Sequence, residues 1–267
     1  MNEPLKLLAV FPHPDDETLG LGSTLARYSA EGVETYLVCA TRGERGWFDS
    51  EGPNPGLEGV GRIREGELRC AAEHLGLREV CYLDYIDGEV DQAEPMGIIT
   101  KVTKHIRRIR PQVVVTFAPD GAYGHPDHIA LSQFAQGAVV CAADATFEDG
   151  QSPHRVSKLY YMVDSQEVVD AAVEAFGGIS MDIDGVTRQH VGWQDWQITT
   201  RLDNVRYMER VREAIRCHKS QLPGFGPIAE WSVDQLAEMF GTGHFYRVFS
   251  LVNGGRNVES DLFEGLS

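Results

Sequence analysis

The stretch Leu5–Glu17, LKLLAVFPHPDDE, decides how this chain is read. Its first eight residues form a short apolar run, the signature of a strand buried on both faces, as in parallel sheets. The run stops at His13-Pro14, and three consecutive acids follow: Asp15, Asp16 and Glu17. Adjacent carboxylates repel unless a helix N-terminus, water or a cation balances them. A second stretch, Gln112–His128, QVVVTFAPDGAYGHPDH, repeats the arrangement. There a β-branched run again ends in His-Pro-Asp, at His125, Pro126 and Asp127, with His128 next.

Working outward, Thr18–Glu31 has helical spacing and Val33–Thr41 is a second strand. A Gly/Pro-rich loop, Arg42–Gly61, is longer than an ordinary connection, which argues for a functional role. A helix over Arg62–Gly76, a strand over Glu79–Tyr85 and a helix over Met96–Arg110 follow. The second apolar run is the fourth strand, His125–Ala143 a helix, and Ser157–Val163 a fifth strand. This alternation predicts an α/β fold: a Rossmann-like, mostly parallel sheet with helices on both faces. The expected strand order is 3-2-1-4-5, with a C-terminal strand added from HFYRVFSLV, His244–Val252. One domain is expected over 1–267. Residues 1–163 are its sheet core with the metal site, 164–203 a variable substrate-shaping segment, and 204–267 the C-terminal helix and strand.

Length and composition set limits. The chain has 267 residues, 42% of them hydrophobic, enough for a substantial core. Its formal charge of −16 repels phosphate backbones and anionic lipid, so neither nucleic acid nor membrane is an expected partner. Five cysteines, Cys39, Cys70, Cys81, Cys141 and Cys217, are spread singly and form no CxxC pair. They read as free, buried thiols of a reducing compartment. The N-terminal apolar run is too short for a secretion signal, and no run approaches a membrane span. A soluble, cytoplasmic protein is expected; a homo-oligomer is compatible with the sequence.

In an open parallel sheet, ligands bind beyond the carboxyl ends of the strands, where the strand order reverses. With order 3-2-1-4-5, the first and fourth strands are neighbours at that point. The two His-Pro-Asp segments then face each other. His13, Asp16 and His128 offer two imidazoles and a carboxylate, a catalytic zinc set with room for water. Asp15 is left beside the ion as a base. One Zn²⁺ per chain is expected, and Fe²⁺ or Co²⁺ suit the same donors. A magnesium carboxylate site for phosphoryl transfer fits poorly, because magnesium prefers oxygen ligands. A metal-dependent phosphoesterase and a non-catalytic metal- or sugar-binding protein are the alternatives. Asp15 argues against the latter, since a binder has no use for a base beside the water.

With both clusters in view, PHPDDE and GHPDH resemble the paired signatures of the LmbE/PIG-L zinc-dependent de-N-acetylases. Supporting matches are TRGERG after the second strand, Arg64, Glu67, Leu68, Ala71, Ala72, Leu75 and Gly76 in the second helix, and CHKSQ at Cys217–Gln221. The resemblance implies removal of an acetyl group from an N-acetylglucosamine-type sugar, a small-molecule substrate. It implies the same ligands, His13, Asp16 and His128, with Asp15 taking a proton from zinc-bound water. Tyr123 and His125 would assist at the oxyanion, His125 or Asp15 would protonate the leaving amine, and Asp127 would orient a histidine. Arg64 and Asp87 match positions that contact the sugar in related enzymes. Glu44 and Arg45, in the long loop, would reach hydroxyls or an anionic aglycone. His218, near a helix end, reads more readily as a cap on backbone carbonyls than as part of the site. One departure is Pro12, where many members carry alanine; it stiffens the turn and removes no ligand.

Overall fold

The structure is a computed structural model that describes residues 4–48, 52–183, 185–255 and 257–266. The first half alternates as the apolar runs dictate: β1 (Lys6–Phe11), α1 (Asp16–Leu19), α2 (Gly22–Ala30), β2 (Glu34–Cys39), α3 (Gly56–Leu75) and β3 (Glu79–Tyr82). Then come α4 (Pro95–Ile109), β4 (Val113–Phe117), the single turn α5 (Gly121–Gly124), α6 (Pro126–Ala143) and β5 (Lys158–Ser165). The remainder comprises α7 (Gln166–Phe176), β6 (Ser180–Ile183), β7 (Val186–Gln189), β8 (Gly192–Trp193), β9 (Thr200–Asp203), α8 (Met208–Cys217), α9 (Val233–Phe240) and β10 (Thr242–Ser250).

The main sheet runs β3-β2-β1-β4-β5-β10-β9. Strands β1 to β5 pair in parallel, while β10 is antiparallel to both β5 and β9. The expected order and the added C-terminal strand are both present. Every residue of β4 is buried, which its unbroken Val-Val-Val-Thr-Phe run requires. One core layer packs Leu7, Ala9, Phe11 and Val115 against α2, α3 and α8; the other packs Leu8, Val10 and Val114 against α4 and α6.

Several local expectations are corrected. The helix read over Thr18–Glu31 is two helices, broken at Gly20 and Leu21. A Cβ on Gly20 would lie 2.3 Å from the Met162 methyl, so the chain is pinched there against β5. The long loop ends earlier than read, because α3 already starts at Gly56; Asp49, Ser50 and Glu51 of that loop lie outside the described residues. Glycines at 59, 61 and 66 weaken helix propensity by about 1 kcal/mol each, but Val60, Leu68, Ala71 and Leu75 bury a face that offsets this. The irregular region after Asp164 contains α7, a β6–β7 hairpin and the edge strand β9.

The cysteine reading is also corrected. Cys70 and Cys217 form a disulfide that ties α3 to the end of α8, with 5.7 Å between their Cα atoms. Their separation of 147 residues hides the pairing from any spacing argument. Cys39, Cys81 and Cys141 are free thiols. Among the described residues, no helix is long and apolar enough to cross a membrane.

Candidate metal centre

The site starts where β1 stops. Thr41, just past β2, donates both its backbone N–H (3.0 Å) and its hydroxyl (2.9 Å) to the Pro12 carbonyl, fixing the exit of the chain. Asp15 then takes φ of 106°, a left-handed conformation that costs a non-glycine residue roughly 1–3 kcal/mol. Its own N–H donates to Glu17 Oε2 at 2.9 Å, and the His13 N–H donates to Asp16 Oδ2 at 2.9 Å. These contacts turn His13, Asp15 and Asp16 to one side.

From β4, the chain enters α5 and α6. His128 stacks on Phe117, the last residue of β4, at 4.1 Å and 13°. His13 Nδ1 lies 3.6 Å from Asp16 Oδ2, and His128 Nε2 lies 3.5 Å from Asp16 Oδ1. One donor atom from each of His13, Asp16 and His128 falls within 4.8 Å of the others. The strand order thus brings the two His-Pro-Asp segments together. His128 is 1% exposed, and neither of its ring nitrogens has a hydrogen-bond partner. An imidazole buried without partners is costly unless something else binds it. A divalent cation fits: two nitrogens and one carboxylate oxygen are a normal borderline-metal set.

Two of the three ligands, Asp16 and His128, carry shifts that a cation would act on. Burial, reinforced by the neighbouring Asp15 charge, pushes Asp16 up to about 8. Burial and the nearby His13 and His125 hold His128 well below its usual range. A cation among them favours the ionised carboxylate and the neutral imidazole, the two forms that ligate.

The far nitrogen of His13 faces a different pair. Its Nε2 lies 3.1 Å from Asp127 Oδ2 and 3.1 Å from Asp87 Oδ1. Asp127 is fully buried and also accepts the Gly88 N–H (2.7 Å) and the Val90 N–H (3.1 Å). Asp87 accepts the Arg45 N–H at 3.2 Å, and its ionised form is held far below the carboxylate range by the His13 hydrogen bond despite burial. These acids make Nε2 the protonated nitrogen and leave Nδ1 free to ligate toward Asp16. His13, Asp87 and His125 also bring donor atoms within 4.8 Å, but Asp87 already lies 3.1 Å from His13 Nε2 as its ion-pair partner.

The other sequence-selected residues fall around this cluster. Tyr123 and His125 are half-buried, their rings 5.2 and 4.8 Å from the His128 ring. Arg64 is 3% exposed and not a surface charge. It donates to Asp15 Oδ2 (3.1 Å), the Pro14 carbonyl (2.5 Å) and the Gly43 carbonyl (2.9 Å). Glu44 is buried and accepts the backbone N–H groups of Arg42 and Asp87, each at 3.2 Å. Arg45 is exposed and paired with Glu89.

His218 is corrected most sharply. It is fully buried, and its Nε2 lies 3.2 Å from Glu17 Oε1 and 3.1 Å from the Thr18 hydroxyl. Glu17 and Glu67, present in the sequence motifs but given no role there, support the site from behind. Glu17 supports the backbone of Asp15, and Glu67 accepts both the N–H (2.7 Å) and hydroxyl (2.8 Å) of Ser220. Their partners lie in the distant CHKSQ segment, about 150 to 200 residues later.

A sequence profile described as PIG-L, GlcNAc-PI de-N-acetylase, matches residues 8–139. A Streptomyces griseus protein named 1D-myo-inositol 2-acetamido-2-deoxy-alpha-D-glucopyranoside deacetylase is 35% identical over 98% of this chain and 89% of its own length. The chain belongs to the PIG-L family. The conserved protein TT1542 of Thermus thermophilus superposes with a TM-score of 0.67 at 25% identity, over 94% of this chain and 97% of that one. N,N'-diacetylchitobiose deacetylase of Pyrococcus horikoshii shares the fold, with a TM-score of 0.69 at 23% identity, over 92% of this chain and 84% of that one.

Proposed function

We propose that this PIG-L family chain is a metal-dependent amide hydrolase that removes the acetyl group from an N-acetylglucosamine-type sugar. The observation that carries the reading is the convergence of His13, Asp16 and His128 beside Asp15, with the His128 nitrogens otherwise unpartnered. His13, Asp16 and His128 would hold the ion. Zn²⁺ suits the donors best, and Fe²⁺ or Co²⁺ would be accepted. Such an ion, when bound, supplies Lewis acidity toward the amide carbonyl and lowers the pKa of water.

The chain's own residues do the rest. Asp15, aimed by Arg64, takes a proton from the attacking water. The water oxygen bonds to the acetamide carbon, the C–N bond breaks, and the nitrogen leaves with a proton from Asp15 or His125. The products are acetate and a free amine. Tyr123 and His125 would supply donors to the carbonyl oxygen, and one such donor is worth about 3–4 kcal/mol. Asp127 fixes the His13 ring. Asp87, Arg64, Glu44 and Arg45 would serve the sugar side, and the 164–203 segment is where the remainder of the substrate would be selected. The N-acetylglucosaminyl part is carried over from the name of the Streptomyces griseus relative.

The test is acetate release from N-acetylglucosamine and its inositol conjugate, with and without a chelator, alongside metal content. Asp15→Asn should keep its metal and lose about 10²–10⁴ in kcat. Phosphate release from a sugar phosphate, or full activity in Asp15→Asn, would overturn the proposal.

A further inference from the structure

Apart from the clusters that share His13, one more group of metal-ligating side chains meets among the described residues: Cys70, His74 and Cys217. Cys70 and His74 stand one turn apart on α3, so they share a face of that helix. Cys217 is the last residue of α8 and reaches the same face from across the α3–α8 contact. One donor atom from each residue lies within 4.8 Å of the others. Cys70 and His74 are exposed, so both reductant and ion can reach them.

We propose that these three residues form a second metal site, for a thiolate-preferring ion such as Zn²⁺, which becomes available when the Cys70–Cys217 disulfide is reduced. Reduction by a dithiol, which ends as its own disulfide, or by a phosphine and water, which end as the phosphine oxide, delivers two electrons and two protons, breaks the S–S bond and yields two thiols. A divalent ion then displaces two thiol protons and binds two thiolates and the His74 imidazole. Two sulfurs and a nitrogen are a softer set than the two nitrogens and an oxygen of the His13 cluster, so the two sites differ in ligand chemistry. Ion and disulfide become alternative clasps at one place. That place matters, because α3 carries Arg64 and Glu67, and the residue after Cys217 is His218, which reaches Glu17. Either clasp holds the two helices that brace Asp15. The inference does not depend on which reaction the His13 cluster performs.

The experiment uses full-length protein and Co²⁺ as the probe, in the oxidised form and after anaerobic reduction by a phosphine that is then removed. Reduced protein should bind one more Co²⁺ per chain than oxidised protein, with a thiolate-to-cobalt charge-transfer band in the near ultraviolet. The His13 cluster has no sulfur ligand and cannot give that band. Reduced Cys70→Ser should lose it. Reduced His74→Ala, altered at an exposed position, should bind the extra ion at least about tenfold more weakly. Equal cobalt stoichiometry in oxidised and reduced protein would overturn the proposal. So would a charge-transfer band unchanged in Cys70→Ser, or an extra ion bound as tightly by His74→Ala as by the unaltered chain.

Discussion

Asp127 shows how a fully buried residue behind a ligand governs the proposed centre. Its carboxylate is fully buried, grips two backbone N–H groups of the segment after β3, and accepts from His13 Nε2. The last of these contacts selects the His13 tautomer. Asp127→Asn retains the size but offers His13 an amide that can orient either way. Partners of this kind typically change metal affinity by about 10- to 100-fold. The variant should therefore lose metal to a competing chelator about 10- to 100-fold more readily, whereas Asp15→Asn should not. Chelator competition on both variants separates positioning from proton transfer; equal affinities in both would remove Asp127 from the role. The meeting of His13, Asp15 and Asp16 with His128 was legible in the sequence because both His-Pro-Asp segments follow strand ends, Phe11 of β1 and Phe117 of β4, and the sheet order dictates where those ends meet. The supports were not legible. Glu17 reaches His218, and Glu67 reaches Ser220, only through the packing of α3 and α8 on the sheet, which no local spacing encodes.

Elements with a strong period were readable, and those without one were not. The apolar runs of β1, β2 and β4 announce buried strands, and Glu94-Pro95 opens α4 with a side-chain cap on the Met96 and Gly97 N–H groups. The 164–203 segment has no such pattern, because β6, β7 and β8 are exposed or half-exposed and only two to four residues long. The structure gives part of this segment a definite task. The α5 turn that carries Tyr123 puts Ala122 at φ 64°, a strained value for alanine. Four contacts hold that turn. Asp120 Oδ1 accepts the Ala122 N–H (2.9 Å), Trp193 Nε1 donates to Asp120 Oδ2 (2.9 Å), Val191 N–H donates to the Ala122 carbonyl (2.7 Å), and Arg188 donates to the Gly124 carbonyl (3.0 Å). Three of the four come from the 164–203 segment. Arg188→Ala removes one of them and the aliphatic cover over Gly124. With one hydrogen bond worth about 1 kcal/mol, kcat should fall about fivefold while metal content stays unchanged. Steady-state kinetics with metal analysis checks this, and an unaltered kcat would mean the turn is held without Arg188.

At the scale of the whole molecule, the sheet is closed at its far edge by a buried charge. Glu259 follows β10 and is 1% exposed. It accepts from Lys158 Nζ (2.8 Å), Arg247 Nη1 (2.8 Å), Tyr160 Oη (2.7 Å), Thr200 Oγ1 (2.9 Å) and Asn253 Nδ2 (2.5 Å). These donors come from β5, β9, β10 and the tail, so one carboxylate joins the strands that extend the parallel core. Nothing in NVESD foretold it, because a single acid in a polar tail looks like a surface charge. Burial alone would raise this carboxyl, but the hydrogen bonds from Lys158, Tyr160, Asn253 and Thr200 win and hold it at about 2, below the ordinary 4.5. The unfolded chain therefore takes up this proton first as the pH falls. The stabilisation is complete above about pH 4.5 and is lost as the pH drops toward about 2. Glu259→Gln abolishes this titration and leaves Lys158 and Arg247 buried without a countercharge, at a cost of about 3–5 kcal/mol. Urea midpoints at pH 7, 4.5 and 3 should show the variant much weaker at pH 7 and the two proteins converging as the pH falls. Parallel pH profiles for the two would mean that Glu259 carries no linkage, and that hydrophobic packing alone secures β9 and β10 to the sheet.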